Sequence, residues 1–237
     1  MRSEPPFLAA SPARTAKWRP GLGGAAQQTE LFASAREAAG AAMALALARE
    51  RLRQAGKPAG NWLWVQDAAA LRASGRPYGP GLPADLRAGL IHVAARTPED
   101  ALFALEEGLR CRDLAFVLGE IAGNPKALGF TASRRLNLMV ERCGVPLWLV
   151  RLDAARDPGS ARMRWEVGPA PSPPPRWNPD APGVPSWRAD LFRARNHPPG
   201  QWTLRDDGHS LFAEPAAQPA DHGDLAATAG DRPLAAS

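Results

Sequence analysis

Lysines and carboxylates are the side chains that nucleotide chemistry needs, and their spacing in this chain can be checked directly. A phosphate-binding loop of the form GxxxxGK[ST] requires a lysine whose ammonium group neutralises the β- and γ-phosphates. The chain has only three lysines, Lys17, Lys57 and Lys126, and none stands in such a motif. A GxGxxG pattern is absent too, because residues 21–26 depart from it at the sixth position. The sequence therefore predicts no standard nucleotide-binding loop.

Metal-ligating and nucleophilic side chains are scattered along the chain. We interpret His92 as a core imidazole in a strand, and Ser133 as a helix cap, because no GxSxG motif surrounds it. Cys111 and Cys143 have neither CxxC nor Cys/His spacing, which favours reduced thiols over a zinc site or a disulfide. The sequence predicts no catalytic residue, no metal site and no cofactor.

Two adjacent arginines are candidate contacts for a partner or for nucleic acid. Arg134 and Arg135 are predicted in the first turn of a helix that follows a strand. Ligands of parallel sheets gather at the carboxyl ends of the strands, so these guanidinium groups are placed to face phosphates or an acidic protein. The alternative is a solvated helix surface with aliphatic stems packed on the sheet.

A second candidate surface is a basic and aromatic hairpin near the end of the chain. Its members are Arg188, Arg193 and Arg195 with Trp187 and Trp202. Arginines next to aromatic rings suit the stacking and phosphate contacts of single-stranded nucleic acid. Charged side chains that protect an edge strand from aggregation explain the same pattern.

The elements that position these side chains follow from apolar periodicity. The apolar runs 114–118 and 145–152 flank a segment with a helical repeat of buried-type residues: Leu136, Met139, Val140 and Cys143. Apolar strands without strict alternation are typical of a parallel sheet covered on both faces, so this unit predicts a right-handed βαβ crossover. Further patterns predict a helix over 30–54, strands at 61–67 and 90–96, and a hairpin of 186–195 with 200–208.

Together these elements predict an α/β fold: a mostly parallel sheet flanked by helices, with a C-terminal antiparallel β extension. We expect an irregular N-terminal arm over 1–28 and one domain over 29–208, which includes a proline-rich connector at 169–185. Residues 209–237 are of low complexity and acidic, and are predicted to be disordered.

Charge and hydropathy limit the setting in which the protein works. The net charge is +5: residues 1–206 have 28 basic and 19 acidic side chains, whereas residues 207–237 have one basic and five acidic side chains. A basic body suits nucleic acid or an acidic partner. No run approaches the ~20 apolar residues of a membrane span, and the apolar run near the N-terminus is shorter than a signal peptide requires. We expect a cytoplasmic protein that does not enter the membrane.

The order of elements resembles the ATPase core of the RecA recombinase, and in closer detail the chain resembles the ImuA family. The segments that carry the resemblance lie at 63–71, 75–82, 101–123, 131–151, 161–167 and 187–196. The most specific of them are TASRRLNLM, which begins at residue 131, and WRADLFRARN, which begins at residue 187.

The resemblance also allows the recombinase active site to be followed along this chain. Its phosphate loop falls at 30–40, where there is no lysine; its catalytic carboxylate falls at Ala68, one residue after Asp67. Its magnesium-binding aspartate falls at Gly119, next to Glu120. Asp67 and Glu120 occupy the two acidic positions only if the alignment with the recombinase pattern is shifted by one residue at each of them. The resemblance therefore implies a RecA-like fold without ATPase activity.

Membership of the ImuA family would imply a role in damage-induced SOS mutagenesis and translesion DNA synthesis. The implied partners are an ImuB-like inactive relative of Y-family polymerases, an error-prone polymerase III-type α subunit, RecA and DNA. Two alternatives stay open: a degenerate ATPase or nucleotide sensor that uses residues 21–24, and a SulA-type inhibitor of cell division.

Overall fold

The computed structural model describes residues 26–176, 178–195 and 197–216. The first six strands of this part of the chain run parallel: β1 (Gln28–Ala33), β2 (Trp62–Gln66), β3 (Leu90–Ala94), β4 (Val117–Ala122), β5 (Leu147–Leu152) and β6 (Met163–Pro169). Three strands follow in antiparallel arrangement: β7 (Ser186–Ala194), β8 (Gly200–Asp206) and β9 (Leu211–Pro215). All nine form one sheet in the order β3-β2-β4-β5-β1-β6-β7-β8-β9. The predicted α/β fold with an antiparallel C-terminal extension is confirmed.

Helices cover both faces of the parallel part of the sheet. They are α1 (Ala39–Gln54), α2 (Ala68–Ser74), α3 (Ala84–Arg87), α4 (Pro98–Arg110) and α5 (Phe130–Cys143). The predicted crossover is present, because α5 connects β4 to its parallel neighbour β5. In the described residues, no helix has the length and hydrophobicity needed to cross a bilayer.

The core has two halves, one on each face of the sheet. Helices α4 and α5 pack their leucine stripes on one face, where Leu105, Leu136 and Leu149 are fully buried. Helix α1 covers the other face, and an aromatic group lies beside it, in which the rings of Trp62 and Phe116 stack at 4.8 Å. This burial on both faces explains why the central strands are apolar without alternation.

The C-terminal extension is joined to the parallel part through α1. Arg49 on α1 donates to Asp206 at the end of β8, at 3.2 Å. The Glu50 carboxylate accepts a hydrogen bond of 3.1 Å from the backbone N–H of Leu211 in β9. The antiparallel strands therefore belong to the same packed unit as the parallel ones.

Two predicted boundaries are wrong. Residues 28–33 form the fully buried strand β1, whereas the sequence predicts a helix from residue 30. Glutamate, leucine and alanine favour helices locally, but burial between β5 and β6 overrides that preference. The sheet also continues past residue 208, because β9 pairs with β8 in the segment predicted to be disordered. Most of the predicted arm and tail lie outside the described residues.

Candidate functional site

A short loop at residues 34–38 connects the central strand β1 to α1, as a phosphate-binding loop does in nucleotide-binding folds. Placing the motif GxxxxGK[ST] on this strand, loop and helix puts alanines, Ala33 and Ala38, at both glycine positions. Ala39 stands at the lysine position and Gly40 at the hydroxyl position. The location of the loop was predictable, but the sequence alone did not show that a strand precedes it.

The packing around Gly40 leaves no room for the missing hydroxyl side chain. A Cβ atom on Gly40 would lie 2.8 Å from the Ala33 Cβ and 2.8 Å from a Val150 methyl group. Real Cβ atoms do not approach other atoms so closely, so serine or threonine would push α1 away from the sheet. The loop thus has none of the motif's glycine, lysine or hydroxyl residues at these positions, and the packing of α1 leaves no space for a side chain at residue 40.

The two carboxylates nearest to the recombinase positions lie side by side. Asp67 directly follows β2 and Glu120 lies within β4, two residues before its end; the Asp67 N–H donates to the Glu120 carbonyl oxygen at 3.2 Å. The Asp67 side chain caps α2 by accepting from the Ala70 N–H at 2.7 Å. Glu120 is buried, and its carboxylate accepts from Gln66 Nε2 at 2.7 Å and from Trp64 Nε1 at 3.3 Å. Both carboxylates therefore have structural partners.

Burial also changes the ionisation of Glu120. Desolvation raises the pKa of the Glu120 carboxyl above its usual range, and the neighbouring Asp67 carboxylate raises it further. Hydrogen bonds from Gln66, Ser74 and Trp64 oppose this shift of the pKa. A carboxyl whose proton is held more tightly is a poorer magnesium ligand. In the described residues, no group of three His, Cys, Asp or Glu side chains is arranged to bind a metal.

A cavity of about 360 Å³ lies between the loop and Glu120. Arg36, Arg76 and Tyr78 line it together with Gln66 and Glu120. Its polar floor continues to His92, whose Nε2 lies 2.9 Å from the Gln66 Oε1. His92 is half-buried and hydrogen-bonded, and burial lowers its pKa, with a smaller contribution from Arg76.

The predicted contact arginines on α5 lie in its second turn, not its first. Arg135 forms an ion pair with Glu106 of α4, which joins the two helices. Arg134 is exposed and has no ion pair with any residue that the structure describes. Of this predicted pair, Arg134 alone presents an unengaged guanidinium group.

The hairpin places its charged and aromatic side chains differently. Arg188, Arg193 and Arg195 are exposed on or just after β7. Trp187 is 5% exposed and packs in the core on the α1 side, so its prediction as a contact residue is wrong. Alternation along a strand sends neighbouring side chains to opposite faces, which separates Trp187 from Arg188. Trp202 is half-buried, with its ring centroid 5.7 Å from that of Trp165.

A buried cluster of charges was not predicted from the sequence. Arg164 Nε on β6 donates to the Glu30 carboxylate on β1 at 2.7 Å, and both side chains are buried. Arg151 on β5 lies beside them and donates to the Gly123 carbonyl oxygen at 3.1 Å. Asp157 reaches both arginines, at 3.4 Å and 3.6 Å. No sequence motif brings these residues together, because strand order alone makes β1, β5 and β6 neighbours.

A larger cleft opens at the opposite end of the sheet, where the parallel strands begin. Its volume is about 750 Å³, and its rim carries Arg51, Lys57 and Arg112 with Asp113. Cys143 lines the same cleft, and both cysteines are free thiols.

Comparison with known proteins identifies the family. The chain is 37% identical over 185 residues to Protein ImuA of Caulobacter vibrioides strain NA1000 / CB15N, a match that covers 72% of this chain and 71% of the relative. Protein ImuA of the Caulobacter vibrioides strain ATCC 19089 / CIP 103742 / CB 15 matches with the same identity and coverage. No family model matches the chain. Identity at this level over more than two thirds of both proteins shows that the chain belongs to the ImuA family.

Proposed function

We propose that this protein is a non-catalytic adaptor of damage-induced, error-prone translesion DNA synthesis. It works in the cytoplasm and binds an ImuB-like relative of Y-family polymerases. RecA, a polymerase III-type α subunit and DNA are its further candidate contacts. The main support is the loop at residues 34–38, which stands where a phosphate-binding loop would but carries none of its defining residues.

The energetics of phosphoryl transfer support the non-catalytic part of the proposal. Enzymes of this class act almost entirely by positioning phosphates and neutralising the charge that develops on them. Here the lysine position is Ala39 and the hydroxyl position is a glycine with no space for a side chain. The buried Glu120 is already hydrogen-bonded to two side chains of β2. Both nucleotide binding and transition-state stabilisation would therefore be weak.

The exposed arginines support the binding part of the proposal. Arg134, Arg188, Arg193 and Arg195 remain on the surface without ion pairs among the described residues. Their aliphatic stems and charged ends suit acidic protein surfaces or phosphates.

Two measurements test the proposal. Purified protein should form a stable complex with the ImuB-like protein of the same organism in size-exclusion chromatography. With millimolar ATP and magnesium its melting temperature should stay unchanged, because a ligand stabilises the native state by RT ln(1 + [L]/Kd), which is negligible when the ligand does not bind. RecA serves as the positive control for the nucleotide measurement.

One observation favours the nucleotide-sensor alternative: the cavity near Glu120 lies at the carboxyl edge of the sheet. Hydrolysis measured with and without single-stranded DNA separates the two. ATP hydrolysis that is present with this protein and absent from a control preparation without it would support the nucleotide-sensor alternative and contradict the non-catalytic adaptor.

A further inference from the structure

The strand β3 stands at one end of the sheet with an open edge. It pairs with β2 on one side, and no described strand pairs with it on the other. Its side chains are half-buried or exposed along its whole length, and Ile91 is 46% exposed. Sheet proteins usually protect such an edge with lysine, proline or a bulge. β3 contains no lysine or proline, and its pairing with β2 is regular.

The hydrogen bonds to β2 show which peptide groups of β3 point outward. The Gly89 carbonyl oxygen accepts from the Trp62 N–H at 2.8 Å, and the Ala95 N–H donates to the Gln66 carbonyl oxygen at 2.8 Å. Peptide groups alternate sides along a strand, so those of Leu90, His92 and Ala94 face away from the sheet. They offer donors and acceptors at the spacing that another strand requires.

The segments before and after β3 present exposed arginines and a tyrosine, and the first turn of α4 adds Glu99 and Asp100 beyond them. Tyr78 is 73% exposed on the loop before β3. Arg87 orders that loop by donating to the carbonyl oxygens of Pro80 and Leu82, at 2.7 and 2.8 Å. Arg76 and Arg96 are exposed and have no ion pair in the described part of the chain. An exposed tyrosine on an ordered loop is typical of binding hot spots.

We propose that the outer edge of β3 binds an extended, acidic segment of a partner protein as an additional strand. Outward peptide groups of β3 pair with the backbone of that segment. Apolar side chains of the segment contact Ile91 and Tyr78, and its carboxylates face Arg76 and Arg96. This inference rests on the proposed adaptor function and assigns a surface to it.

The charges argue against a second copy of this chain as the occupant. An identical β3 strand, Leu90–Ala94, carries no carboxylate that could pair with the exposed Arg76 and Arg96. The opposite edge of the sheet, β9, differs in character, because its arginine neighbour Arg205 is already paired with Glu214.

The test compares variants in their affinity for the ImuB-like protein of the same organism. Ala94→Pro removes one outward N–H, which an edge strand tolerates, and Ala94→Ser is the matched control that keeps it. Arg76→Glu combined with Arg96→Glu reverses the charge, and Arg142→Glu is the control on an exposed arginine of α5. We expect the Kd to rise about tenfold or more for Ala94→Pro and for the arginine pair, and less than about twofold for both controls.

Hydrogen–deuterium exchange of the wild-type complex needs no variant, so misfolding of a variant cannot affect this measurement. Binding at this edge slows amide exchange at His92 and Ala94. A complex that forms without this protection, and with unchanged affinity of the variants, overturns the edge assignment and leaves the adaptor function intact. Absence of any complex overturns both. Protection of β3 in the isolated protein together with a doubled mass would assign the edge to a second copy.

Discussion

Glu120 shows how the fold holds a buried polar group in a central strand. It lies in a central parallel strand, where water is excluded and hydrogen bonds from Gln66 and Trp64 replace it. Because the pKa of Glu120 is raised in the folded protein, the unfolded chain releases this proton first as the pH rises. The contribution of the group to stability is complete below its unfolded pKa and is lost as the pH rises through the folded pKa.

Wild type loses stability as the pH rises because the buried Glu120 must ionise. We expect the variant Glu120→Gln, which has no carboxyl at this position, to avoid that loss. The free energy of unfolding of the variant, relative to wild type, should become more favourable as the pH is raised above about 4. Urea unfolding across this range measures the difference. Glu107→Gln, on the exposed side of α4, is the control and should show no comparable trend. A parallel pH profile for Glu120→Gln and wild type would contradict the assignment.

The pair of Glu30 and Arg164 makes a second residue-scale prediction. Removing Glu30 leaves the buried Arg164 with only its longer contact to Asp157, at 3.6 Å, and breaking a buried ion pair costs up to about 3–5 kcal/mol. Glu30→Leu should therefore lower the free energy of unfolding by about that amount in chemical denaturation. Combining it with Arg164→Leu should recover part of the loss, because no unpaired charge then remains next to Phe32.

The control for this pair is the exposed ion pair of Glu107 with Arg110. Glu107→Leu should change the free energy of unfolding by no more than about 1 kcal/mol. Equal effects at Glu30 and Glu107 would show that the buried pair contributes no more than a surface pair.

At the scale of elements, the unit of β1, loop and α1 carries the functional argument. The residues that would bind phosphate are absent, and the helix approaches the sheet at Gly40 as closely as a residue without Cβ allows. This contact ties the loop at residues 34–38 to the packing of the central strands.

We expect Gly40→Ser to destabilise the protein by about 1–3 kcal/mol, because the added atoms overlap Ala33 and Val150. Thermal or urea denaturation measures the loss. Gly60→Ala is the control, since a Cβ there would meet nothing within 4 Å. If Gly40→Ser is as stable as wild type, the close approach of α1 is not a barrier to a phosphate-binding loop.

At the scale of the whole molecule, the antiparallel extension behaves as part of one sheet. Its strand β9 covers the edge of β8, and Leu211 is 4% exposed against the core on the α1 side. The folded domain therefore extends beyond residue 208, where the sequence predicted that it ends.

A chain that ends at residue 208 should be less stable than one that ends at residue 216 by at least about 2 kcal/mol. The shorter chain loses the buried side chain of Leu211 and the hydrogen bond from its N–H to Glu50. Comparing the two truncated proteins by urea unfolding isolates the contribution of β9. Equal stability of the two would restore the boundary at residue 208.

The local properties of the sequence were sufficient for much of this description. Apolar runs and helical spacing predicted the crossover of β4, α5 and β5, because periodicity is readable within a short window of sequence. The tertiary structure decided what depends on strand order and on the face to which a side chain points. It buried Trp187, turned residues 28–33 into a central strand, paired Glu30 with Arg164 and left the edge of β3 open. These outcomes join residues far apart in the chain, and their energies come from burial and pairing that exist only after the sheet has assembled.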